Sequence, residues 1–171
     1  MQDIQGLQDG DDNMGSVLSV RFAPESGVTH LNDVASGLLA VDCLRNDSVA
    51  AQLYRLRFTA DTGELKITGS VGENGPEWKV EISVLVPKDY EYMMPALGLM
   101  DGNKFFVFTQ SYNKKTWLHG YINVHDEKYC MTFNSDFTTG VQRAGRNGFL
   151  LKFSYVATKR PRTVTYEYLG Y

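Results

Sequence analysis

The sequence has little cysteine and no long apolar run. Its two cysteines, Cys43 and Cys130, fall in different predicted strands, and neither belongs to a CxxC pair. This excludes the disulfide framework of small secreted domains; we expect two buried, reduced thiols, with a single disulfide as the alternative. The most apolar stretch, residues 34–44, is interrupted by a Ser-Gly pair and by Asp42, whereas a spanning helix needs about 20 apolar residues. No membrane contact is therefore expected.

A large excess of charge of one sign is also lacking. The 171 residues include 20 acidic and 17 basic side chains, which gives a formal net charge of −3 and a pI near 5.6. This balance argues against a dedicated polyphosphate-binding protein. The first residues contain no basic segment followed by an apolar one, so they predict no signal peptide. We therefore expect the chain to be made in the cytoplasm.

The sequence lacks the usual signatures of catalysis and of metal binding. It contains no GxSxG motif, and its glycines do not follow the GxGxxG or GxxxxGK spacing. Residues 9–13 begin like a calcium loop, but Met14 and Val20 stand where that loop needs glycine and a bidentate carboxylate. On a regular strand His119 and His125 would lie about 20 Å apart, too far to share one metal ion. We therefore predict no enzymatic activity, no metal and no cofactor.

A succession of short alternating segments and turns runs through most of the chain. Residues 1–15 are rich in Gln, Asp, Gly and Asn, which predicts a flexible acidic N-terminal arm before a single β domain at residues 16–171. Residues 78–86 alternate strictly and form the clearest strand, whereas residues 88–100 are predicted as a loop with at most one helical turn. The pattern predicts an all-β protein, an antiparallel β-sandwich or barrel of about ten short strands with little helix.

Three further expectations concern a hairpin, a long loop and an uninterrupted strand. The turn at residues 61–63 is predicted to join residues 54–59 and 64–71 in a hairpin. Residues 134–147 carry two glycines and two arginines and are predicted as a long loop. Residues 116–124 are predicted as one regular strand.

One predicted strand carries a row of polar and aromatic side chains. If residues 116–124 form a regular strand, alternate side chains share its outward face while Leu118 and Ile122 face the core. The outward residues are Trp117, His119, Tyr121 and Asn123. Aromatic side chains with hydrogen-bonding tips provide contact area, so this row is a candidate interaction surface; ordinary outward residues of a sheet are the alternative.

The charges are concentrated at the two ends of the chain. Residues 1–33 contain six acidic residues and one basic residue, a net charge of −5, and residues 143–171 contain six basic residues and one acidic residue, a net charge of +5. Complementary ends favour head-to-tail contact between copies. The candidate contact residues are Asp9, Asp11, Asp12, Arg143, Arg146, Lys159, Arg160 and Arg162. The alternatives are two ordinary solvated segments, or a basic end that faces nucleic acid with Phe149, Phe153 and Tyr155 beside it.

A series of short motifs runs through residues 101–170. It consists of Asp-Gly-Asn-Lys at 101–104, Thr-Trp-Leu-His-Gly at 116–120, Thr-Thr-Gly at 138–140, Asn-Gly at 147–148 with Phe153, and Tyr-Leu-Gly at 168–170. This order resembles small β-rich neck and tail proteins of tailed bacteriophages, including those of crAss-like phages.

The resemblance implies a non-enzymatic structural virion protein, made in the host cytoplasm, that assembles into a homo-oligomeric ring or tube around the DNA passage and joins neighbouring virion proteins. Residues 1–15, 88–100 and 134–147 are then the expected contacts with neighbours. The main alternative is a β-sandwich binding module that recognises a carbohydrate or a protein partner through the face containing Trp117.

Overall fold

The computed structural model describes residues 16–31, 43–73, 75–87, 93–113, 115–123, 125–138, 148–158 and 162–164. Within these ranges the chain forms 14 strands, one 3-10 turn (Glu25–Gly27) and one α-helix, α1 (Met93–Met100). The strands are β1 (Val17–Pro24), β2 (His30–Leu31), β3 (Leu44–Asn46), β4 (Val49–Ala50), β5 (Tyr54–Leu56), β6 (Glu64–Gly72), β7 (Gly75–Pro87), β8 (Lys104–Ser111), β9 (Thr116–His119), β10 (Tyr121–Ile122), β11 (Lys128–Tyr129), β12 (Met131–Thr138), β13 (Gly148–Ala157) and β14 (Arg162–Val164).

Nine of these strands form one antiparallel sheet. Seven of the nine strands follow the order β14-β9-β8-β12-β13-β7-β6. The other two are β1, which pairs with β8, and β5, which pairs with β1. Two small antiparallel sheets, β10-β11 and β2-β3-β4, complete the described structure. These antiparallel pairings confirm the predicted all-β fold, and because the main sheet does not close on itself within the described ranges, the fold is of the sandwich-like type.

Strands β7 and β13 show the strictest alternation in the main sheet, where they lie side by side. In β7 the buried residues from Val80 to Val86 alternate with partly exposed ones, and β13 repeats the pattern opposite it, with Phe153 facing Ile82 in the register. Alternating apolar residues bury one face of a sheet and leave the other to water. The expected strand at residues 78–86 is therefore confirmed.

Strand β8 lies between two hydrophobic clusters. Phe105 and Val107 contribute to a cluster with the phenylalanines of β12 and β13, where the rings of Phe105 and Phe153 meet edge to face at 6.1 Å. Phe106 and Phe108 belong to a second cluster that contains both cysteines. A strand buried on both faces needs a continuous apolar run, as the segment Phe-Phe-Val-Phe supplies.

The expected hairpin between residues 54–59 and 64–71 is wrong. Strand β5 pairs with β1, and β6 pairs with β7 through the two-residue turn between Gly72 and Gly75. The turn at residues 61–63 is present but does not join β5 and β6 in a hairpin. Its Gly63 carbonyl instead accepts a hydrogen bond of 3.0 Å from the Val17 N–H of β1. Asp61, with φ of 61°, adopts the left-handed conformation there.

Two predicted loops contain regular structure. Strand β12 continues to Thr138 and pairs with β13, so the expected loop at residues 134–147 is wrong over its first five residues; residues 139–147 lie outside the described ranges. Residues 93–100 of the other expected loop form the two turns of α1, and its Pro95 occupies the first helical turn, where a missing N–H has no cost. The acidic arm at residues 1–15 and residues 88–92 lie outside the described structure.

Candidate functional site

The predicted strand at residues 116–124 is broken at Gly120. This residue has a φ of +112°, and a Cβ there would lie 2.8 Å from the Phe106 ring and 3.0 Å from the Tyr129 carbonyl. Strand β9 therefore ends at His119 in the main sheet, while β10 begins at Tyr121 in a separate two-stranded sheet. The alternation of side chains between the two faces of a strand is therefore interrupted at Gly120, and it no longer places the four candidate residues on one face.

His119 faces the interior, contrary to the expected outward position. Its side chain is fully buried, and its Nε2 lies 2.7 Å from the Thr109 hydroxyl oxygen. Its Nδ1 has no hydrogen-bond partner within the described ranges. Burial lowers the pKa of His119 to about 3, because the charged imidazolium cannot be solvated there. His119 is thus a neutral residue of the core and no part of a surface row.

The other three residues of the expected row occupy different surroundings. Trp117 is partly exposed beside an open groove, whereas Tyr121 is buried and its ring stacks on Tyr129 at 4.5 Å. The Asn123 side chain stabilises the turn after β10, since its Oδ1 accepts the N–H groups of His125 and Glu127 at 2.9 Å each. The row therefore does not form one continuous face.

The charged ends fall mostly outside the described structure. This holds for Asp9, Asp11, Asp12, Arg143, Arg146, Lys159 and Arg160. The backbone of Arg162 lies in β14 opposite Leu118. The contact between the two ends stays a prediction. The aromatic residues suggested for nucleic-acid stacking, Phe149, Phe153 and Tyr155, are buried in the core, so that part of the expectation is wrong.

The two cysteines are buried and form no disulfide with each other, which is the expected state rather than its alternative. Burial raises the pKa of Cys130 to about 12, which keeps its thiol protonated and unreactive. Among the described residues, no group of three or more His, Cys, Asp or Glu side chains is placed to hold a metal ion. Within the same ranges, no helix has the length and apolar character to cross a membrane.

The longest mostly exposed strand among the described residues is β6, a nine-residue strand at one end of the main sheet. Within the described ranges its single strand partner is β7. Its side chains are mostly exposed; Ile67 and Val71 expose 36% and 86% of their surface. In the hairpin formed by β6 and β7, no described side chain between Lys66 and Lys79 is buried. The outer part of this hairpin therefore lies beyond the core.

The register of the hairpin decides which backbone groups of β6 face the open edge. Gly72 and Gly75 close a two-residue turn, and such a closing pair exchanges both backbone hydrogen bonds. Val71 lies opposite Pro76, which has no N–H to donate. Hydrogen-bonded and non-bonded pairs alternate in an antiparallel ladder. The residues that direct their N–H and C=O groups outward are therefore Leu65, Ile67, Gly69 and Val71.

Two glycines let β7 side chains lie close against the β6 backbone. A Cβ on Gly69 would be 2.8 Å from Cζ3 of Trp78, so the indole covers Gly69. A Cβ on Gly72 would be 2.6 Å from Oε1 of Glu77, so this carboxylate covers Gly72. We name this region the edge surface; it comprises the apolar face Leu65, Ile67, Val71 and Trp78 and the polar face Lys66, Glu77, Lys79 and Glu81.

The edge surface does not follow from the sequence when residues 64–71 are paired with residues 54–59, because that pairing assigns β6 the wrong partner. A usable signal was present. Residues 64–72 contain only three aliphatic side chains, together with two glycines and small polar residues. A strand with so little to bury is typical of a sheet edge rather than of its centre.

A second surface feature is an open groove of about 700 Å³ beside Trp117. Its polar lining includes Asp61, Asn113 and Lys115 from the turns at its two sides. A hydrogen bond from the neighbouring Tyr112 hydroxyl to Asp61 raises the pKa of that tyrosine. The groove thus combines one indole with several hydrogen-bonding groups.

Comparison with known proteins identifies no matching protein family, curated protein or solved structure.

Proposed function

We propose that this chain is a structural subunit of a larger assembly, and specifically a virion protein that forms part of a ring or tube in the neck or tail of a tailed bacteriophage. The virion setting comes from the resemblance of residues 101–170. In this role the chain performs no chemistry: its β domain supplies a rigid body, and its edges and loops contact neighbouring subunits.

The observation that carries the proposal is the open, exposed edge of β6. Monomeric β proteins protect long edge strands with lysines and other charged side chains, proline, bulges or a covering segment, because unpaired N–H and C=O groups recruit other strands. Strand β6 carries charged side chains only at its start, Glu64 and Lys66. Within the described residues β6 has no proline and no covering strand, and it exposes Ile67 and Val71. Such an edge suits a chain that is covered by a neighbour in its working state.

The rest of the described sheet suits a rigid building block. Strands β7, β12 and β13 bury a contiguous phenylalanine-rich cluster, in which the rings of Phe133 and Phe153 lie 4.9 Å apart. Interiors packed in this way deform little and transmit force. The formal net charge of −3 is compatible with DNA that slides past the subunit without binding tightly.

Light scattering of the purified full chain, combined with negative-stain electron microscopy, tests this function. We expect concentration-dependent oligomers and ring-shaped or tubular particles. Contacts between charged ends would weaken as salt rises from low to high concentration. A monomer at every concentration and salt, with no ordered particles, contradicts the proposal.

A second candidate function is favoured by the groove beside Trp117. A partly exposed indole next to amide and carboxylate groups is suited to stack on the apolar face of a sugar ring while the hydroxyl groups of the sugar are hydrogen-bonded. This function predicts a monomer whose Trp117 fluorescence changes when saccharides are added. Because Trp78 also fluoresces, the titration requires a Trp78→Phe background, with Trp117→Phe in the same background as the control.

A further inference from the structure

We propose that β6 pairs antiparallel with β6 of a second copy of this chain, about a two-fold axis at Gly69, so that the main sheet continues from one subunit into the other. This inference rests on the proposed function, because it assumes that the chain assembles. It identifies the partner at the edge surface as an identical strand.

The backbone of β6 is suited to this pairing. Its outward N–H and C=O groups belong to the odd-numbered residues from Leu65 to Val71, as the register with β7 requires. A two-fold axis at Gly69 places Ile67 of one copy opposite Val71 of the other, so outward-facing residues meet outward-facing residues. Each copy then satisfies the unpaired backbone groups of its partner.

The apolar face of the edge surface is complementary to itself under the same symmetry. Ile67 and Val71 of one copy would meet Val71 and Ile67 of the other, which removes four exposed aliphatic side chains from water. The two Gly69 residues would lie side by side at the axis, each covered by the indole of its own Trp78. The lack of side chains at this position permits the close approach of the two strands.

The polar face also places opposite charges next to each other across the two-fold axis. Lys66 would lie opposite Gly72 of the second copy, and the Glu77 carboxylate covers that glycine. The symmetry therefore produces two Lys66–Glu77 contacts across the axis. Lys66 and Lys79 balance Glu77 and Glu81 in charge, and Glu64 at the start of β6 adds one negative charge to this face. The face therefore disfavours DNA, and the Lys66–Glu77 contacts favour a like partner.

An interface of this kind is closed, since both copies use the same patch. It would join subunits in pairs and leave the other surfaces of each subunit available for contacts within a ring.

Cysteine cross-linking tests the pairing and its register. Thr68 and Ser70 are the even-numbered residues on either side of the axis, and an axis at Gly69 places Thr68 of one copy opposite Ser70 of the other. Such non-hydrogen-bonded pairs have the short Cβ separations that disulfides need. The native cysteines, Cys43 and Cys130, are buried and do not compete.

We expect an equimolar mixture of the Thr68→Cys and Ser70→Cys proteins to form a disulfide-linked dimer under mild oxidation, in preference to either protein alone. Efficient cross-linking of Thr68→Cys with itself would place the axis at Thr68 and overturn the proposed register. Failure of the mixture and of both single variants to cross-link would overturn the pairing.

A substitution on the apolar face tests the pairing without cross-linking. Val71→Lys introduces a charge at a highly exposed position, and we expect it to raise the dissociation constant of the pair at least about tenfold. Val49→Lys is the matched control, because Val49 exposes 63% of its surface and lies in a different sheet. Circular dichroism checks that both variants fold.

The outcomes separate this inference from the proposed function. Oligomers that persist unchanged in Val71→Lys, with no cross-link at Thr68 and Ser70, would overturn the β6 pairing and leave the structural function standing. A wild-type chain that is monomeric under all conditions and forms no particles would overturn both. Loss of association in Val71→Lys but not in Val49→Lys, together with the expected cross-link, supports the pairing.

Discussion

Strands β8 and β6 belong to the same sheet and have similar lengths, eight and nine residues, but opposite surroundings. Strand β8 has β1, β9 and β12 as partners and buries both of its faces. Strand β6 has one described partner and is exposed along most of its length. The difference shows that the composition of a strand depends on its number of neighbouring strands. Strand β8 contains the run Phe-Phe-Val-Phe, and β6 contains glycines, small polar residues and charged residues.

The comparison predicts that a truncation in β8 has the largest effect on stability. Phe106 is fully buried, so Phe106→Ala should lower the free energy of unfolding by about 3–5 kcal/mol. Ile67→Ala in β6 should lower it by only about 1 kcal/mol, because Ile67 already exposes 36% of its surface in the folded chain. Urea denaturation of both variants measures the difference. Equal losses would show that β6 is part of the cooperative core.

The glycine that ends β9 should be nearly as sensitive. Gly120→Ala should destabilise the fold by about 2–4 kcal/mol, because the backbone has a φ of +112° and the new methyl group would press on Phe106. Gly98→Ala in α1 is the control: a Cβ meets nothing within 4 Å there, and alanine should stabilise the helix by about 0.5–1 kcal/mol. Thermal unfolding distinguishes the two, and equal melting temperatures would contradict the role of Gly120.

Acid should destabilise the sheet through His119. Its pKa is lowered from 6.5 to about 3 in the folded chain, so below pH 6.5 the unfolded chain binds a proton that the folded chain excludes. This contribution to stability is complete above pH 6.5 and is lost at up to about 1.4 kcal/mol per pH unit as the pH falls toward 3.

Urea denaturation between pH 7 and pH 4 measures this loss. In His119→Gln, whose side chain does not titrate and retains an amide for Thr109, the slope should be shallower over the same range. An unchanged slope would assign the acid sensitivity to other groups.

The smallest expected effect concerns the contact between Lys66 and Glu77 of two copies paired at β6. Lys66→Glu should weaken the association of two copies severalfold, as loss of a contact worth about 0.5–1 kcal/mol would produce. The double variant Lys66→Glu/Glu77→Lys should recover most of the affinity, because it exchanges the two charges across the axis. Sedimentation analysis measures the dissociation constants. Failure of the second substitution to restore binding would place Lys66 away from Glu77.

Particular residues show how much the sequence could predict. Alternation from Val80 to Val86 predicts β7 correctly, because burial of one face of a sheet requires a period of two. The partner of each strand could not be predicted in this way. Residues 54–59 and 64–71 are both suited to a hairpin, yet β5 pairs with β1 and β6 with β7, since the Gly63 carbonyl is occupied by the Val17 N–H.

The candidate site shows the same limit. The row from Trp117 to Asn123 follows from spacing alone, whereas in the structure the left-handed backbone at Gly120 divides it and His119 lies buried against Thr109. A glycine in a strand indicates a possible break, but whether it breaks depends on the ring of Phe106 beside it. The edge surface likewise depends on which side of β6 has a neighbour.

The fold class and the buried face of β7 follow from the sequence alone, because periodicity and composition act locally. Only the tertiary structure decided that β8 lies at the centre and β6 at the edge, that His119 is a neutral core residue, and that Trp78 and Glu77 cover two glycines of β6. These features arise from contacts between residues distant in the chain, and the free energy of such contacts depends on which surfaces meet.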